Sequence, residues 1–219
     1  MAELDQFQHP RFARQWPKMS EMLDRRGYAQ LRERLTDGLS GHVVELGCGD
    51  GRTFAHYPAE VTRVTAVEPD NQLRTHAERA AERAPVPVSV VAGHADALPG
   101  EDGTYDAAVV SLVLCSVPDV PAALAELYRV LRPGGELRFC EHVRSDKPLG
   151  GRIQDLITPL TVRFGGNDHQ NRDTGTLIER SDLAVRRLER VPFKIHPLVP
   201  PQPLILGTAV RPGGTEQAD

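Results

Sequence analysis

The chain has 219 residues, 40% of them hydrophobic, and a formal net charge of −4 from 26 Lys and Arg against 30 Asp and Glu. That suits one domain with a sizeable core and speaks against a nucleic-acid partner, which needs a basic footprint. No apolar run approaches the ~20 residues of a membrane span, and the polar start Met-Ala-Glu-Leu-Asp-Gln is unlike a signal or transit peptide, so a cytoplasmic location is expected.

Residues 1–40 read as an amphipathic helical cap. Phe12, Trp16, Met19 and Leu23 fall on one helical face, which is expected to pack as core, with a lid over a reacting centre as the alternative. Pro17 is expected to interrupt that helix. Tyr28, Leu31 and Leu35 continue the face as far as Gly38, a C-cap candidate. Strands are then predicted at 42–46, 62–67, 87–92, 105–112 and 136–142. Helices between them are predicted near 52–57, from Asp70 as N-cap to about 83, and over 121–131. Arg132-Pro-Gly-Gly reads as the turn that stops the last of these. Residues 143–151 form a polar connector, 152–164 a helix disturbed at its end by Pro159, and 165–172 a polar loop. A short helix at 174–181 follows. Two final strands, 183–195 and 204–210, suit an antiparallel hairpin, and 211–219 a tail without regular structure.

Repeated strand–helix units of this length imply an α/β fold, a doubly wound Rossmann-like sheet of seven strands ending in that hairpin. One domain is expected, with a cap (1–40), a core (41–143), a substrate side (144–210) and the tail. The three cysteines, Cys48, Cys115 and Cys140, sit in or beside predicted strands, and their spacing offers neither a disulfide framework nor a metal site, so no metal is expected.

The most informative stretch is Val43-Val-Glu-Leu-Gly-Cys-Gly-Asp-Gly51, a buried strand running into glycines at alternate positions. Such glycines let the backbone turn sharply and approach a ligand. Glu68 closes the second strand, where an acid accepts hydrogen bonds from both hydroxyls of a ribose. Together they place an adenosine-containing cofactor across the carboxyl ends of parallel strands. The dinucleotide pattern Gly-x-Gly-x-x-Gly fails from both Gly47 and Gly49, and no Lys-Ser or Lys-Thr pair completes a P-loop.

Glu-x-Gly-x-Gly-x-Gly resembles motif I of the class I S-adenosylmethionine methyltransferases. Gly93-His-Ala-Asp-Ala-Leu-Pro99, Thr104-Tyr-Asp-Ala-Ala-Val-Val110 and Arg129-Val-Leu-Arg-Pro-Gly-Gly135 are similar to that family's later motifs, in order. Glu45-Leu-Gly-Cys-Gly, Phe54-Ala-His-Tyr-Pro, Leu114-Cys-Ser-Val117, Glu141-His-Val143 and Asn171-Arg-Asp-Thr174 more narrowly resemble the thiol S-methyltransferases and their bacterial relatives. The resemblance implies S-adenosylmethionine as cofactor, held by Glu45, Gly47, Cys48, Gly49, Gly51, Glu68, Pro69, Asp96, Ala97 and Leu112. Glu45 would meet its amino-acid end, directly or through water, Glu68 its ribose and Asp96 its adenine. The implied acceptor is a small molecule, a thiol first, with O- or C-methylation, or a non-methylating cofactor-binding role, as alternatives. The hydrophobic N-terminal anchor of the animal members is not seen here, so membrane attachment is not carried over.

His142, at the carboxyl edge of the fifth strand, is the catalytic candidate, with a structural role as its rival. Trp16 and His169 are candidates for substrate contact. His196, between Pro-rich segments, reads as structural. The oligomeric state, monomer or dimer, stays open.

Overall fold

The computed structural model describes residues 2–195 and 201–213. The apolar runs become β1 (Gly41–Leu46), β2 (Val61–Val67), β3 (Val88–Val91) and β4 (Tyr105–Ser111), followed by β5 (Leu131–His142), β6 (Ala184–Phe193) and β7 (Gln202–Val210). They form one sheet in the order β3-β2-β1-β4-β5-β7-β6. The first five strands are parallel, and β7 runs antiparallel to both β5 and β6. The order reverses beside β1 and β4, which opens a crevice at their carboxyl ends.

Helices α1 (Pro10–Leu23), α2 (Ala29–Thr36), α3 (Asn71–Ala81), α4 (Val120–Val130), α5 (Pro148–Phe164) and α6 (Thr174–Glu179) flank the sheet. Side chains alternate across each strand, so two apolar clusters form, one per face. Val44, Leu46, Ala108 and Val110 point towards α4 and α6, packing with Leu124, Leu127 and Ile178. Val43, Ala107 and Val109 point the other way, towards Leu31 and Leu35 of α2 and Ala77 of α3. Asp70 caps α3, its carboxylate accepting from the Gln72 and Leu73 amides, as its position before the helix predicts.

Several expectations need correction. Pro17 does not interrupt α1, which runs unbroken from Pro10 to Leu23. The chain instead kinks at Gly27, whose φ of 110° only glycine adopts readily. The Pro17 carbonyl accepts from Ser20 Oγ one turn on in the same helix at 3.3 Å and, from outside it, from the Arg52 guanidinium at 3.3 Å. β5 starts at Leu131 rather than 136, because Arg132-Pro-Gly-Gly forms an irregularity within an extended segment instead of a separate turn. α5 begins four residues before the predicted 152, with Pro148 in its first turn where its missing N–H costs nothing, and Pro159 does not end it. Its body-facing side carries Gly151, Gln154 and Thr158, whereas Leu149, Ile153, Leu156, Leu160 and Phe164 are exposed.

Arg211, first residue of the presumed tail, is anchored: its guanidinium donates to the carbonyls of Tyr128, Arg129 and Leu131 and closes the end of α4. His196 lies outside the described residues, as do 214–219. Among the described residues no helix is long and apolar enough to cross a membrane.

Phe139 sits at the centre of β5, fully buried and paired with Gly207 of β7, whose lack of a side chain leaves room for the ring. Phe139→Ala should therefore lower the unfolding free energy by about 3–5 kcal/mol, read from denaturant melts at constant slope. A loss under about 1 kcal/mol would contradict this placement of the core.

Candidate functional site

A cavity of about 320 Å³ opens at the carboxyl ends of the parallel strands, roofed by α1. One end is built on backbone. Gly47 and Gly49 turn with φ of 67° and 58°, left-handed values that L side chains rarely adopt. A Cβ on Gly47 would lie 2.6 Å from Val113, and one on Gly49 2.9 Å from Trp16 Nε1. The Gly47 and Cys48 amides both donate to the Val67 carbonyl, at 2.8 and 3.1 Å, which seats the turn on the end of β2.

Glu68 follows directly. One carboxylate oxygen accepts from the Gly49 amide at 2.9 Å, the other from the Asp70 amide at 3.0 Å. Burial pushes its carboxyl up to about 7, against these two bonds. A carboxylate has about four acceptor sites, so two remain, and Glu68 lines the cavity. Glycines that bring bare backbone to the cavity wall, beside an acid with unused acceptor capacity, fit the sugar and amino-acid portions of an adenosine cofactor.

The cap is tied to this end at two points. Gln8 donates to the Pro69 carbonyl at 2.8 Å and accepts from the Asn71 amide, while the His9 amide donates to Asp70 at 3.1 Å. Ser20 Oγ donates to Asp50 at 2.6 Å, and Arg52 bonds both Ser20 and Asp50 at 3.0 Å. Phe12, Trp16 and Met19 consequently line the cavity, so the face expected to be core is instead its roof, and Met19 is 37% exposed. Trp16 lies against the glycine turn.

The other end is built from side chains. His142 Nε2 is 3.1 Å from Gln202 Oε1, and its Nδ1 faces Asp168 Oδ1 at 3.8 Å. Cys115 lies beside them, and all three line the cavity. Burial alone would lower the His142 imidazole, but Asp168, with Gln202 and Glu141, outweighs it and the ring stands above its ordinary value. Asp168 is held low by the same neighbour despite its own burial. Burial pushes the Cys115 thiol well up.

The predicted residues divide by location. Gly47, Gly49, Glu68, Pro69, Asp96, Leu112, His142 and Trp16 line the cavity. Leu112 does so with a φ of 58°, a strained value for a leucine. Glu45, Cys48, Gly51, Ala97 and His169 do not. Glu45 shares the Val43 face of β1 and is buried beneath the turn, accepting from Tyr57 Oη at 2.8 Å, with burial raising its carboxyl to about 7. Gly51 packs rather than contacts ligand: a Cβ there would strike Phe54 and Ala80. Cys48 is buried among apolar side chains, and Ala97 closes a one-residue bridge with His94. His169 donates its amide to the Cys115 carbonyl, while its neighbours Asp168 and Gln170 face the cavity.

Cys115, Asp168 and Gln202 are the residues that sequence reasoning missed here. The motif Leu114-Cys-Ser-Val117 held the one available signal. Their three segments meet only in the fold, so no spacing along the chain relates them. Glu141, next to His142 in sequence, is not its hydrogen-bond partner. Glu141 is buried on the opposite side, accepting from the Val113 amide at 2.8 Å.

Comparison with known proteins agrees with this geometry. Residues 44–139 match the model of a methyltransferase domain. Human thiol S-methyltransferase TMT1B is 36% identical over 182 residues, covering 80% of this chain and 73% of that protein. The ubiquinone/menaquinone biosynthesis C-methyltransferase UbiE of Methylobacterium nodulans is 41% identical over 98 residues, 44% of this chain and 39% of that one. The crystal structure of an S-adenosylmethionine-dependent methyltransferase from Thermotoga maritima superposes with a TM-score of 0.69 at 22% identity, covering 93% of this chain and 99% of that one. The chain thus belongs to the class I S-adenosylmethionine-dependent methyltransferases, related to the thiol S-methyltransferases among them, and S-adenosylmethionine is its cofactor.

Proposed function

We propose that this methyltransferase acts on a small-molecule thiol, and that the two ends of the cavity divide the work. The observation that carries the acceptor class is the likeness to TMT1B along 80% of the chain, against 44% for the quinone C-methyltransferase. Chemistry supports it. A thiol with a pKa near ~8.5 supplies a useful thiolate fraction at neutral pH without a strong base. Among the described residues the acceptor end offers His142 and its neighbours, with His142 Nδ1 facing Asp168. Carbon acids and most alcohols need a stronger, freely placed base.

Glu68 is assigned to the two ribose hydroxyls, Gly47 and Gly49 to the close approach of the backbone, and Asp96 to the adenine amino group. Glu45 supports the turn from beneath. Pro69 and Leu112 border the bound nucleoside. When bound, S-adenosylmethionine supplies a methyl already activated on a sulfonium, so the protein's part is alignment and exclusion of water. Phe12, Trp16 and Met19 provide the exclusion, and the Cys115–His142–Asp168 end receives the acceptor.

Glu68→Ala should weaken S-adenosylmethionine binding by about 1.5–3 kcal/mol, the range for hydrogen bonds to a charged group. In the wild type, affinity should rise as pH increases from about 6 to about 8. The free carboxyl titrates near 7, and hydroxyl donors favour its charged form. Calorimetry across that range checks both; flat affinity together with an inert Glu68→Ala would remove Glu68 from the site.

Gly49→Val should abolish binding, since a branched side chain at φ 58° is strained and would fill the space beneath Trp16. Unchanged affinity in a variant with a native circular dichroism spectrum would mean that the turn does not meet the cofactor.

Matched aryl thiols, phenols and carbon acids, compared in a product assay, test the acceptor. Thiols should be methylated at least tenfold faster. Methylation of phenols or carbon acids with thiols inert would replace this acceptor class and leave the methyltransferase assignment standing.

A further inference from the structure

His142 Nδ1 and Asp168 Oδ1 are both buried, face one another at 3.8 Å, and have no hydrogen-bond partner among the described residues. Buried polar atoms are rarely left unpaired. The other imidazole nitrogen bears on what is missing. Nε2 lies 3.1 Å from the amide oxygen of Gln202, which only accepts, so Nε2 carries a hydrogen, and in the neutral ring Nδ1 then presents a lone pair. Asp168 Oδ2 accepts from Gln170 at 2.9 Å, so Oδ1 likewise presents lone pairs. Two acceptors thus converge on one point. A protonated imidazole would close on a carboxylate to roughly 2.7–2.9 Å; these groups stand well beyond that.

The third member is Cys115. One donor atom each from Cys115, His142 and Asp168 lies within 4.8 Å of the other two. They come from the β4–α4 connection, the end of β5 and the loop after α5. We propose that these three residues form a site for a borderline-soft divalent cation, zinc foremost, at the acceptor end of the cavity. Sulfur, imidazole nitrogen and carboxylate oxygen are the donor types that zinc takes, at about 2.3, 2.0–2.1 and 2.0–2.2 Å. Nitrogen and oxygen on one tetrahedral ion stand about 3.3–3.5 Å apart, so the two groups need to shift by only a few tenths of an ångström. Gln202 supplies the outer hydrogen bond that orients a metal-bound histidine. Gln170 does the same for the carboxylate.

Three protein ligands leave a tetrahedral ion one position for water or substrate, and all three residues line the cavity. Occupancy of the site does not depend on the acceptor's identity. Its use does rest on the thiol reading: an acceptor thiol in the open position would bind as thiolate, its proton passing to solvent.

The test uses untagged full-length protein, so that no affinity tag binds metal. After chelator treatment and dialysis, zinc is titrated in against a competing chromophoric chelator, and cobalt(II) is titrated separately by absorbance. The expected result is one ion per chain with a dissociation constant below about 1 µM, and a thiolate-to-cobalt charge-transfer band. Cys115→Ser should abolish that band. Asp168→Asn and His142→Ala should weaken zinc binding at least tenfold, and Gln202→Ala by 10- to 100-fold. Cys48→Ser and Cys140→Ser should leave the ion bound. S-adenosylmethionine affinity, measured on every variant, reports folding independently. The proposal is overturned if wild-type protein binds neither ion stoichiometrically, or if Cys115→Ser retains the cobalt band. Methylation of phenols instead of thiols would leave the metal titration unchanged, which separates the two readings.

Discussion

The site depends on a single buried carboxylate. Glu68 ends β2 and accepts from the amides of Gly49 and Asp70, so it joins the glycine turn to the first residues of α3. Desolvating a charge is costly, and burial raises this carboxyl to about 7. The two backbone donors offset part of that cost, and they hold the remaining acceptor sites towards the cavity. Asp70, placed by the same contact, caps α3 with one oxygen and receives the His9 amide with the other. The cap helix is thereby positioned over the turn, and Trp16 with it. Strand end, turn, helix start and roof are organised around one side chain.

The two ends of the cavity are made differently, and this explains why one is legible from sequence and the other is not. The cofactor end is local: a strand, three glycines and an acid one strand later, all within β1 to α3. Its glycines must be glycines because the backbone there is left-handed, so the pattern is visible in the letters. The proposed acceptor end is assembled from Cys115, His142 and Asp168, carried by two connections and the end of β5, which no local spacing relates. Folds of this kind hold the cofactor end constant and vary the other.

Periodicity found the strands and helices because burial on both sheet faces demands long apolar runs. It failed where direction rather than element decides. Glu45 was expected to meet the cofactor directly or through water, but period two puts it on the Val43 face, beneath the turn with Tyr57 and off the cavity wall. His169 was chosen in a loop where Asp168 and Gln170 face inward instead. Pro17 looked like a helix break, yet contacts from Ser20 and Arg52 hold the segment helical and the bend falls at Gly27. Helix α5 meets the body through Gln154 and Thr158 and not through its apolar residues, and their hydrogen bonds to Ser145, Val143, Gln170 and within the helix serve the loop beside the site.

The central claim is that cofactor and acceptor meet in one cavity, with the ribose on Glu68 and the reacting sulfur turned towards the Cys115–His142–Asp168 end. A crystal structure of the complex with S-adenosylhomocysteine tests it most directly. The account predicts both ribose hydroxyls at hydrogen-bond distance, about 2.5–3.0 Å, from the Glu68 carboxylate, with the thioether sulfur facing His142. A ribose held elsewhere, or a sulfur directed away from that cluster, would contradict it.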